Sequence, residues 1–151
     1  MSEVSRLKIS LKNSEHTLRL AMPIGVATAE LCDLDYEQSD DDELERTYLV
    51  FREDGFELLF DHGQLSGVFL YLSPNRDNFP AFGGELNYLP RDFFVEPCAQ
   101  RFIDLLTSQG FMQSERKFPS STDMLDANVR LRYQEGPTGL MVFLDDGNRL
   151  R

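Results

Sequence analysis

Tryptophan is absent from this chain of 151 residues, and cysteine and histidine occur only twice each. Cys32 and Cys98 are too few and too far apart to form a disulfide framework, and no CxxC or Cys–His spacing offers a zinc site. They are expected to be packed free thiols, with a disulfide between them as the alternative. No run approaches the roughly 18 apolar residues that cross a bilayer. The opening stretch, Met1 to His16, alternates charge and apolarity without the apolar centre of a signal peptide, so the expected location is the cytoplasm.

Cations are also scarce. Fifteen Lys+Arg stand against 26 Asp+Glu, a formal net charge of −11. Such a field repels phosphate backbones and anionic membranes, and the arginines at 91, 101, 116, 130, 132, 149 and 151 are dispersed, without interleaved aromatic platforms. Nucleic acid and membrane are therefore not expected as partners, whereas a basic protein is.

What the chain does have is material for a core. It is 41% hydrophobic, with twelve Phe and five Tyr, enough for one globular domain over 1–151 without staples.

The acid is unevenly spread. Thirteen carboxylates, half the total, lie between Glu30 and Asp61, where Arg46 and Arg52 are the only Lys or Arg. Asp33, Asp35, Glu37, Asp40, Asp41, Asp42, Glu43 and Glu45 form the densest part. Like charges at this density repel, so a loop or solvated rim over about 30–45 is their natural home. They serve as a solvated linker or as a docking patch for a basic partner, and in the second case these eight residues are the binding residues. A calcium loop starting at Asp33 fails, because Gln38 stands where the sharp turn needs Gly and Leu44 where a bidentate Glu is needed. No metal or other cofactor is expected.

Periodicity points to strands. Arg6–Lys12 alternates, with Leu7, Ile9 and Leu11 inward. Pro23–Cys32 fits either a short helix with Pro near its start or an extended segment. Arg46–Arg52, Phe56–Phe60 and Gln64–Leu72 read as three strands joined by turns at Asp54-Gly55 and Asp61-His62-Gly63, an antiparallel meander. Asp61 is expected to bond backbone amides in its turn.

Residues 73–95 carry Pro74, Pro80, Pro90 and Gly83-Gly84 and read as a long loop. Its aromatics, Phe79, Phe82, Tyr88, Phe93 and Phe94, either fold back over an open sheet face or present a sticky surface. A helix is expected from Pro97, with Cys98, Phe102, Leu105 and Leu106 on one stripe and Gly110 as its stop. Ser120–Asp123 suits the cap of a helical turn. Strands near 127–134 and 139–144 flank Glu135-Gly136-Pro137. In the first, Val129, Leu131 and Tyr133 are inward, while Arg130, Arg132 and Gln134 are wet. The expected fold class is α+β, an antiparallel sheet of about five or six strands with a central meander and one main helix.

The stretch Asp54–Tyr71 resembles a hairpin recurring in small bacterial immunity-type proteins of polymorphic toxin systems. The likeness rests on Gly55, Phe60, Asp61, Gly63, Leu65, Phe69, Leu70 and Tyr71. Gly84, Leu86, Arg132, Tyr133 and the Asp145-Asp146-Gly147 end are similar too. The resemblance implies an immunity-type protein that neutralises a toxin by binding it, and the clustered acid makes the expected toxin or effector a basic one.

No enzyme is expected. His16 falls in a probable turn and His62 at a hairpin tip, no nucleophile–base pair can be named, and Gly-x-Ser-x-Gly, Walker-type and dinucleotide-binding loops are absent. The alternative function is a non-catalytic adaptor, chaperone or self-associating module that uses the aromatic loop. On either reading a monomer or a homodimer is expected.

Overall fold

The computed structural model describes residues 6–11, 13–72, 80–115, 121–136 and 139–145. The chain folds as a mostly antiparallel β structure with three short helices among these residues. Strands β1 (Arg6–Ser10) and β2 (Glu15–Arg19) form a hairpin, followed by α1 (Ile24–Glu30). The strands β3 (Glu37–Asp41), β4 (Arg46–Phe51), β5 (Phe56–Asp61) and β6 (Gln64–Tyr71) come next. Beyond them lie β7 (Glu85–Leu86), α2 (Arg91–Val95), α3 (Ala99–Thr107) and β8 (Met112–Gln113). Last are β9 (Ser121–Leu125), β10 (Arg130–Gly136) and β11 (Gly139–Asp145).

Two sheets result, β2-β1-β7 and the larger β3-β4-β5-β6-β11-β10-β9-β8, with every pairing antiparallel. The meander β4-β5-β6 forms where expected, because its strands alternate and its turns carry the right residues. Gly55 (φ 76°) closes the first turn; an added Cβ there would sit 2.6 Å from the Pro80 carbonyl oxygen. His62 (φ 51°) and Gly63 (φ 79°) both take left-handed values in the second, as a two-residue hairpin of mirror-image turn type demands. A register shift between Leu59 and Phe60 leaves Ser66 of β6 as the extra residue, so that Leu65 and Val68, three apart, face the core opposite Phe60 and Leu58.

One face of the large sheet carries the core. Leu49, Phe51, Phe56, Leu58, Phe60, Val68, Leu70, Leu131, Tyr133 and Leu144 meet Leu7, Ile9 and Leu18 of the small sheet and Ala27, Phe93, Phe102 and Leu106 of the helices. Removing such side chains from water is the main source of stability. Segment 23–32 resolves as helix α1, with Pro23 just before its first turn.

Several expectations are corrected. Among the described residues the strands number eleven, not five or six, because polar or two-residue strands (β2, β3, β7, β8, β9) carry little periodic signal. Within 73–95, β7 and α2 interrupt the expected loop, while residues 73–79, Phe79 among them, lie outside the described residues. Phe82, Phe93 and Phe94 are buried and Tyr88 is half-buried, so these aromatics fold back onto the sheet. The helix expected from Pro97 begins at Ala99, with Cys98 as the capping residue: the Arg101 N–H donates to its Sγ. Gly110 (φ 93°) ends it as expected, and Phe111 N–H returns to the Leu106 carbonyl. Cys32 and Cys98 are free but exposed rather than packed. Ser121–Asp123 lies in β9, not at a helix cap; Ser120 lies outside the described residues.

The largest correction concerns the outer face. Arg130 was expected to be wet, yet it is 3% exposed. Antiparallel pairing sets Asp145 opposite Arg130 and Asp123 opposite Arg132. Asp145 accepts from Nε and Nη2 of Arg130, and Asp123 accepts from Nε (2.6 Å) and Nη2 (2.9 Å) of Arg132. Two-point pairing of this kind is what makes a buried guanidinium tolerable. The Asp123 hydrogen bond holds the Arg132 pKa above its ordinary value, outweighing burial. The same face carries Leu59 and the ring pair Phe69–Phe143, 4.7 Å apart.

Candidate functional site

The acidic segment is not a loop. Its middle forms β3, the outermost strand at one edge of the large sheet, and its C-terminal part forms the β3–β4 turn. The sequence Glu-Gln-Ser-Asp-Asp is poor in β-formers, and its residues are exposed except for the half-buried Asp41. What holds it is β4, through a register that runs from Glu37↔Val50 to Asp41↔Arg46. Side-chain ties reinforce the ladder. Arg52 Nε donates to Glu37 (3.2 Å), and Thr47 Oγ1 donates to Asp40 (2.9 Å). Tyr36, stacked at an angle on Phe51 with ring centroids 5.4 Å apart, anchors the approach to the strand.

The eight candidate residues therefore distribute along one edge. Asp33 lies in the turn after α1 and Asp35 in the short stretch that leads into β3. Asp33 stands 3.4 Å from Nε2 of His16, whose ring is buried in β2 rather than in the turn expected from the sequence. Glu37 and Asp41 share one face of the strand and Asp40 the other. Asp41 caps the hairpin turn by accepting from the Leu44 N–H (3.3 Å). Asp42 and Glu43 are exposed at the turn, and Glu45 (φ 53°) pairs with His62. Asp61 also serves this end: its Oδ1 accepts from Nε of Arg46 (2.9 Å) across the strands.

Two carboxylates that the sequence reading left out join the group. Antiparallel pairing brings the β4–β5 turn, with Glu53 and Asp54, to the end where β3 begins. Burial, followed by the charges of Glu53, Asp33 and Asp35, pushes the Asp54 pKa up, and His16 opposes this. A strand pairing of the acidic segment with Arg46–Phe51 is the signal that would have found them. Glu57, on the outer face of β5, is also raised by burial, against a hydrogen bond from Tyr71 and the charge of Arg52.

The site is thus a strip of carboxylates on an open β edge, with two partially neutralising arginines behind it. Among the described residues, no group of three or more His, Cys, Asp or Glu is placed to hold a metal ion, and no helix is long and apolar enough to cross a membrane. Comparison with protein-family models, with curated proteins and with solved structures yields no match.

Proposed function

We propose that this chain is a protein-binding domain of the immunity or inhibitor type, which neutralises a basic toxin or effector by docking it on the acidic edge. The observation that carries the reading is segregation. Asp33 to Glu45, with Glu53 and Asp54, concentrate negative charge on one edge, while the arginines of β10 are consumed by their own aspartates. A concentrated field of one sign accelerates encounter with an oppositely charged surface and discourages other partners. The resemblance of Asp54–Tyr71 to immunity-type hairpins supports a partner of the toxin class, and that hairpin is separated from the acidic strand by β4 alone.

The test is coexpression with the basic products of adjacent reading frames. Protection of the host from one of them, and an association rate that falls steeply between low and physiological salt, are the expected results. Asp42→Asn with Glu43→Gln, both exposed in the turn, should slow association about tenfold at low salt and leave dissociation nearly unchanged. If no neighbouring product is neutralised, or if association ignores salt, the reading is wrong.

A further inference from the structure

We infer that the basic partner is taken up as an added strand, an extended Lys/Arg-bearing segment that pairs with the backbone of β3 and extends the large sheet. This rests on the proposal that the partner is a basic protein. It is argued from the backbone rather than from the carboxylates.

The molecule treats its edges differently. Along β2, one edge of the small sheet, the Thr17 N–H donates to the Glu30 carboxylate and the Arg19 N–H to the Met22 sulfur, and α1 packs alongside; the other edge, β7, is only two residues long. At the far edge of the large sheet, β8 is only two residues long. β3 is five residues long, without Pro or bulge, and in register along its whole length. Among the described residues, no group bonds its outer backbone row. Alternate residues of an antiparallel strand turn both backbone groups outward, so this row offers a template about 17 Å long.

A strand that buries almost nothing on either face adds little to the core, and its residue types do not favour the conformation they hold. Proteins usually shorten, twist or cover such an edge. Here the protection is charge alone, and charge is selective. A second copy of β3 would set carboxylates against carboxylates about 5 Å apart, whereas a basic strand would set Lys or Arg against Glu37, Asp40 and Asp41. Backbone pairing would supply affinity, and the acids, Glu37 and Asp41 on one face and Asp40 on the other, would supply register and choice of partner.

The experiment uses the full chain and two synthetic peptides of about eight residues alternating Lys and Val. They carry equal charge, but one is N-methylated at successive residues so that neither edge can donate. The expected result is that the unmethylated peptide binds at low salt and protects amides within Glu37–Asp41 from hydrogen exchange, with the methylated one at least about tenfold weaker. Equal affinity for both peptides, or binding without protection in β3, overturns strand addition and leaves charge-based docking standing. Absence of binding by either peptide at low salt overturns both.

Discussion

Aspartate plays opposite parts in the two halves of the large sheet. In β3 and its turn, Asp40 and Asp42 stand in water among other acids. In β9 and β11, Asp123 and Asp145 are almost wholly buried, each bound at two points by an arginine directly across the ladder. Residue type does not decide between these fates; the neighbour that register places opposite does. A carboxylate met by a guanidinium can be enclosed, and one met by Thr47 or by another acid must stay wet.

The comparison can be broken most severely at the buried end. Asp145→Ala leaves Arg130 enclosed without its two-point partner and should cost about 3–5 kcal/mol in denaturant unfolding. The double change Arg130→Met with Asp145→Leu should recover most of that loss, since an apolar pair of similar volume removes the uncompensated charge. Asp61→Ala, at the half-buried pair with Arg46, should fall between the extremes, at about 1.5–3 kcal/mol by the same measurement.

At the acidic end the sign reverses. Asp54 and Glu57 have pKa values raised by burial, so the folded chain disfavours their charged forms. Their penalty is fully present above the raised values and is relieved as pH falls through them toward 3.8 and 4.5, the ordinary values. Thermal melts should therefore show these two groups adding stability on mild acidification from neutral pH, and Asp54→Asn should remove its share of that dependence. The smallest effects belong to the strip itself. Asp42→Asn or Glu43→Gln should change stability by less than about 0.5 kcal/mol, toward greater stability at low salt.

The meander was legible because each of its strands alternates and each of its turns names itself through Gly55 or Gly63. The acidic strand was not, because nothing in Glu-Gln-Ser-Asp-Asp reports burial or β preference; only its partner makes it a strand. The Arg130 and Arg132 positions misled for the same reason. Period-two reading sorts residues by polarity, and the acids that enclose these arginines come from strands on either side. Burial of Phe82, Phe93 and Phe94 was one of two readings open to an aromatic-rich loop, and the sheet face decided between them. Of the site, the eight carboxylates were visible in the sequence, but their arrangement along an edge was not, nor was the contribution of Glu53 and Asp54.

Gly67, in the interior of β6, has the ring of Phe143 lying where a side chain would begin: an added Cβ would fall 2.6 Å from Cε1. That ring belongs to β11, which pairs with β6 at Phe69↔Phe143 and Asp145↔Gly67. The meander can assemble from near neighbours, but its last strand stays uncovered until a segment far along the chain arrives and seats its aromatic in the vacancy. Closing the long loop between them costs chain entropy before the pairing rewards it, and a nascent chain that has reached only β10 would still have β6 without its β11 neighbour.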